Sequence, residues 1–142
     1  MQVRNINECA SISLPTFADE RGSLTLLDDE VVAGKLPFKP RRAFWIYGTQ
    51  PHTIRGQHAH RSCWEMVCAI SGRFTLTLHN GIEEKQFDMS DPAQGIIIPP
   101  MVWCRLDNFA PGTVCLAIAS EDYDAEGYIN DFEQFLYAFK ND

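Results

Sequence analysis

Residues 73–79 read RFTLTLH and are followed at once by Asn80-Gly81. In an extended chain Phe74, Leu76 and Leu78 fall on one face and Thr75, Thr77 and His79 on the other. Strict period two over seven residues is a strand pattern, and Asn-Gly is the preferred pair for a two-residue hairpin turn. The segment therefore predicts an antiparallel hairpin, with residues 82–87 as the return strand. The same rhythm runs along the chain. Short apolar runs at 42–47 (RAFWIY), 65–70, 95–98 (GIII) and 114–119 (VCLAIA) are punctuated by Gly, Pro, Asn and Asp. Many short strands with turn residues between them predict an all-β antiparallel sandwich or barrel. The tail from 125 to 140 differs. Its apolar residues Tyr128, Ile129, Phe132, Phe135, Leu136 and Phe139 have helical spacing, which predicts one short amphipathic C-terminal helix.

No internal repeat or low-complexity linker divides the 142 residues, so a single domain over 1–142 is expected. A chain of this length buries a sufficient core without disulfides. Its five cysteines, Cys9, Cys63, Cys68, Cys104 and Cys115, are odd in number and include no CxxC pair. They read as free thiols in a reducing compartment. The first residues lack the apolar run of a signal peptide, and no stretch approaches the length of a membrane span. A cytoplasmic location without membrane partners is expected. The net charge of −7 argues against non-specific nucleic-acid binding, which needs clustered Lys and Arg. It leaves room for an anionic small ligand held by a few local arginines.

Residues 56–72, GQHAHRSCWEMVCAISG, hold the chemistry. If the segment is extended, His58 and His60 share one face while Gln57 and Ala59 take the other. With Glu65 and Gly72 they complete H-x-H-x4-E-x6-G, which resembles the first cupin motif. Pro99, Met101, Cys104 and Asn108 keep the spacing of the second, P-x-G-x2-H-x3-N, with Met101 in place of Gly and Cys104 in place of His. The pair implies a cupin, or RmlC-like, antiparallel β-barrel of jelly-roll type. Two chemistries fit these side chains. His58, His60, Glu65 and Cys104 are competent ligands for zinc or iron. Alternatively no metal binds, and a histidine titrating near neutrality is a general base.

A longer resemblance follows. RGSLTLLDDE (21–30), PRRAFWIYGT, RGQHAHRS, PPMVW and ASEDYDAEGYINDFEQF occur in the order seen in the WxcM-like sugar-nucleotide 3,4-ketoisomerases. The chain resembles these enzymes, which act on thymidine-diphosphate 4-keto-6-deoxyglucose, over nearly its whole length. The resemblance implies an isomerase without a cofactor, in which His58 and His60 move protons through an enediol. It implies a nucleotide-linked deoxysugar as substrate, serving the synthesis of lipopolysaccharide or S-layer glycans. It also implies a homodimer that exchanges N-terminal strands. Arg21, Arg42 and Arg55 are candidates to clamp the diphosphate or steady the enediolate. Trp103 and Cys104 are candidates for substrate contact, and Tyr47 for a catalytic hydroxyl. Relatives usually carry His where this chain has Cys104 and Gln where it has Glu65, changes that move the site toward a metal set. A binding module that keeps the pocket but has lost its acid is the non-enzymatic reading. His52 and His79 are expected at the surface, and Trp45 and Trp64 in packing or an interface.

Overall fold

The computed structural model describes residues 2–140, so the outermost residues of the expected domain lie outside the described residues. In chain order the elements are β1 (Ser11–Ser13), β2 (Thr16–Asp19), β3 (Gly22–Thr25), α1 (Asp29–Lys35) and β4 (Arg42–Ile46). Then come β5 (Arg55–His60), β6 (Glu65–Ser71), β7 (Phe74–His79), β8 (Glu84–Met89) and β9 (Gln94–Ile98). The chain ends with β10 (Trp103–Asp107), β11 (Val114–Ala119), β12 (Tyr128–Ile129) and α2 (Phe132–Tyr137).

Two five-stranded antiparallel sheets form the body, in the orders β1-β9-β6-β11-β4 and β12-β5-β10-β7-β8. Their inner faces share one core. Phe74, Leu76, Leu78 and Met89 from one sheet meet Val67, Ala69, Ile96, Ile98 and Ala117 from the other. Phe74, Leu76 and Leu78 are 0% exposed, so the period-two expectation holds residue by residue. Each such side chain contributes about 1.5–3 kcal/mol on burial. The all-β class with a short terminal helix is thus what the chain forms.

Two local expectations need correction. The β7–β8 turn centres on Gly81-Ile82, one residue later than Asn-Gly chemistry predicts. Asn80 is buried instead: its carboxamide oxygen accepts from Ile82 N–H and Glu83 N–H, and its amide donates to the Arg4 carbonyl. The return strand accordingly starts at Glu84 rather than at 82. The C-terminal helix covers only Phe132–Tyr137. Tyr128 and Ile129 belong to β12, paired with His60 and Ala59 on the edge of β5. Asp131 caps the helix, its carboxylate accepting from Glu133 N–H and Gln134 N–H.

β2 and β3 stand apart as a two-stranded ribbon that joins neither large sheet. Phe17 and Leu24 on it are exposed. On β4 side chains alternate, so Phe44 and Ile46 turn toward the core while Trp45 and Tyr47 face outward. Among the described residues no helix is long and apolar enough to cross a membrane.

Candidate active site

Between the sheets lies a cavity of about 350 Å³, lined by Arg55, His58, Glu65, Cys104 and Tyr128 over an apolar floor of Val67, Ile98 and Leu106. Strand β5 supplies Arg55 and His58 to its wall, and that strand is not regular. Cys104 on β10 pairs with His58, but the next residue, Arg105, pairs with Gly56, so Gln57 is an inserted residue. Gly56 (φ 79°) and Gln57 (φ 57°) both adopt the left-handed conformation of such a bulge. The insertion changes the parity of the strand. In a regular strand Arg55 would face away from His58. With one extra residue between them, both reach the cavity. Gly56 has no room for a side chain here: a Cβ would sit 3.0 Å from the Cys104 carbonyl oxygen and 3.1 Å from Leu106 Cδ1.

His60 follows on the same face as His58, the two rings meeting edge-on at 5.1 Å. It is 4% exposed, and its Nε2 lies 3.1 Å from Glu65 Oε1, a carboxylate from β6 that is itself buried. The geometry of a hydrogen bond is not met, so Nε2 is a buried polar atom with an acceptor close beside it. Tyr128 closes the cluster from β12, its ring 5.0 Å from His58 and 4.4 Å from His60. The Arg42 guanidinium lies beside the Tyr128 phenol and favours its ionised form. Arg42 also lies over the rings of Phe44 and Tyr123.

Electrostatics follow from this enclosure. Burial holds the His58 imidazolium below its ordinary 6.5, and the charge of His60 pushes the same way. Glu65 and a hydrogen bond to the Gly56 carbonyl oppose the shift. Burial likewise raises the Tyr128 phenol, against the pull of Arg42, and pushes the Cys104 thiol far up. His58 is therefore a neutral base at neutral pH, Tyr128 a neutral acid, and Cys104 an unionised thiol. The rest of the free cysteines are buried too, with Cys9 and Cys68 raised to about 11 and Cys115 to about 12.

With this geometry in view, the comparisons with known proteins are direct. Residues 7–140 match the family model described as "FdtA: WxcM-like, C-terminal". The chain belongs to this family. It is 27% identical over 124 residues to the TDP-4-oxo-6-deoxy-alpha-D-glucose-3,4-oxoisomerase of Aneurinibacillus thermoaerophilus, covering 87% of each chain. It superposes with a TM-score of 0.86 on the 3,4-ketoisomerase QdtA of Thermoanaerobacterium thermosaccharolyticum, at 29% identity and covering 92% and 93% of the two chains. That structure is a histidine-to-asparagine variant in complex with TDP-4-keto-6-deoxyglucose. The WlaRB TDP-quinovose 3,4-ketoisomerase of Campylobacter jejuni matches at 31% identity and TM-score 0.84, over 91% and 97%.

In this WxcM-like chain the fold brings His58, Arg55, Glu65 and Cys104 together as expected, with His60 behind His58 and Arg42 reaching the cavity through Tyr128. Three expected residues are elsewhere. Tyr47 follows the outward parity of β4 and is 71% exposed. Trp103 precedes the inward-facing Cys104 and so turns to the outer face of its sheet, where it packs on Phe132 and Phe135 of α2. Arg21 sits on the turn of the β2–β3 ribbon, where its guanidinium pairs with Asp19 at 2.5 Å in solvent. His52 is exposed as expected, but His79 is half-buried against Phe132, its Nδ1 accepting from Gly81 N–H. Tyr128 was not singled out for the site by its residue type, although it lies within the terminal GYINDF segment that carries the resemblance.

Proposed function

We propose that this protein is a sugar-nucleotide 3,4-ketoisomerase acting on a thymidine-diphosphate 4-keto-6-deoxyhexose. The observation that carries the reading is a mostly apolar cavity lined by the His58 imidazole and the Tyr128 phenol, with the His60 ring packed against both. The reaction moves the ketone from C4 to C3. The C3 proton leaves to a histidine, the C3–C4 double bond of an enediol forms, and C4 is reprotonated. Every step is a proton transfer, so the sugar oxidises C3 and reduces C4 within itself and no co-reactant enters. A neutral imidazole suits both halves. Arg55, aimed by the bulge, supplies charge for the diphosphate or the enediolate.

The test is proton NMR of the protein with thymidine-diphosphate 4-keto-6-deoxyglucose in deuterium oxide, with and without a chelator. The expected product is a 3-keto sugar carrying deuterium at C4, formed equally with chelator present. An unchanged sugar overturns the reading.

One observation favours a second reading. Ligand atoms of His58, His60 and Glu65 lie within 4.8 Å of one another, a set able to hold a divalent ion. Cys104 contributes least to such a set as an unionised thiol. Stoichiometric metal in freshly purified protein, with activity lost to the chelator, would favour it.

The isolated ribbon and the unpaired edge of β4, with Trp45 and Tyr47 exposed beside it, support a homodimer in which N-terminal strands exchange. Light scattering gives a dimer mass if this holds. A cytoplasmic role in supplying deoxysugars for lipopolysaccharide or S-layer glycans accords with such a substrate.

A further inference from the structure

Moving a ketone along a carbon chain needs two kinds of proton transfer. One kind is at carbon, above or below the enediol plane. The other is at the oxygens O4 and O3, in that plane. The histidine pair accounts for the first. The site as expected from sequence named Tyr47 for the second, and Tyr47 points into solvent on the far side of its strand.

Two tyrosines line the cavity, and of these Tyr123 is largely exposed while Tyr128 lies against the histidines. Its ring touches both imidazoles edge-on or tilted, at 5.0 and 4.4 Å, so a sugar carbon within reach of a histidine has its oxygens within reach of the phenol. Its phenol group lies beside the Arg42 guanidinium. A guanidinium carries donors only, so the phenol proton cannot go to Arg42 and is available to another partner. The positions of both groups are fixed by packing. Tyr128 is locked in register opposite His60 by the β12–β5 pairing, and Arg42 is held between the rings of Phe44 and Tyr123. Among the described residues Arg42 Nε is buried with no hydrogen-bond partner, and its guanidinium favours negative charge on the phenol.

Resting on the ketoisomerase reading, we infer that Tyr128 is the catalytic group that carries the oxygen-bound proton, with Arg42 as its positioning residue. As a histidine takes the C3 proton, the C3–H electron pair forms the C3–C4 double bond. The C4–O4 π pair then takes the phenol proton, leaving phenolate beside Arg42. In the second half the C4 carbon takes the proton from imidazolium and the enediol pair forms the C4–H bond. O3–H gives its proton to the phenolate, and the C3 ketone forms. Both residues return to their starting states, and atoms and electrons balance.

The experiment compares Tyr128→Phe with Tyr47→Phe in the full chain, beginning from wild-type turnover of thymidine-diphosphate 4-keto-6-deoxyglucose. Isomerisation and deuterium uptake at C3 of unconverted substrate are followed together by NMR, and thermal melts check folding. Absence of turnover by the wild type itself would overturn the underlying reading rather than this one. With wild type active, Tyr128→Phe is expected to lower kcat by ~10²–10³-fold with KM within about threefold, in the range for a lost acid–base group. The ratio of C3 exchange to isomerisation is expected to rise, because the histidines still exchange carbon-bound protons while oxygen transfer is impaired. A merely structural role would lower both in parallel. Equal loss of both, kcat within threefold of wild type, or a larger loss from Tyr47→Phe would each overturn the inference. Arg42→Lys, which keeps the charge but not the planar fork, is expected to recover more kcat than Arg42→Gln. Identical loss in the two would remove Arg42 from the positioning role.

Discussion

Strands β5 and β7 lie two apart in the same sheet, each hydrogen-bonded to β10, and they use their alternation differently. β7 is regular from Phe74 to His79, and every inward residue is apolar and fully buried. β5 is broken at Gln57, and it brings Arg55 and His58 to the cavity with His60 buried behind His58. Regular pairing suits a strand whose task is to fill space, since any inward side chain of suitable volume serves. A strand that brings the guanidinium of residue 55 and the imidazole of residue 58 to one cavity needs a change of parity, and the bulge provides it. The outer faces differ too. Ala59 and Ile129 are sealed under Phe135, so β5 is packed from behind although its inner face is open.

If this division of labour is right, changes on the two strands separate cleanly. The largest effect is expected from His58→Asn and His60→Asn. Each should lose ~10²–10⁴-fold in kcat while keeping wild-type circular dichroism and melting temperature, because amide for imidazole preserves polarity but removes the base. Near wild-type turnover in both would end the assignment of chemistry to β5. Next is Phe74→Ala on β7, which should cost about 3–5 kcal/mol of stability by opening a void among Phe109 and its neighbours. Denaturant titration measures that loss. The folded fraction should retain KM and kcat within about threefold, and a selective collapse of kcat would show that the core strand also tunes the site.

How far the sequence discloses the molecule follows the same line. β7 and the shared face of His58 and His60 were legible because period two is a local property. The bulge was not, since a lone glycine before Gln57 has many uses and only the register of β10 reveals the insertion. The tail misled for a related reason. Tyr128, Ile129, Phe132 and Phe135 carry helical spacing, yet the edge of β5 captures the first two as a strand and the cap at Asp131 starts the helix afterwards. Tyr128 joins the histidines only through that distant pairing. Trp103 and Tyr47 were placed in the site by type, and the parity of β10 and β4 sends both outward.

Gly56→Ala tests the bulge itself, with an effect of intermediate size. Its φ of 79° and the 3.0 Å approach to the Cys104 carbonyl make any Cβ strained. About 1–3 kcal/mol of stability should go, visible as a lower melting temperature. Because Arg55 depends on the bulge for its direction, KM should rise about tenfold alongside. A fall in melting temperature with unchanged KM would mean that Arg55 reaches the substrate without the bulge.

The smallest expected effect concerns the pH dependence of kcat/KM. The base must be neutral to accept the C3 proton, so activity falls as pH drops through the pKa of His58. Burial and the neighbouring His60 hold that value below 6.5, so the midpoint of the acid limb should lie below 6.5. Glu65 acts in the opposite sense, since its negative charge favours imidazolium. Glu65→Gln keeps the shape of the side chain and removes the charge, so the acid limb should move to lower pH. An upward shift would mean that Glu65 does not govern His58 through its charge. In that case the contact with His60 Nε2 would be its main role.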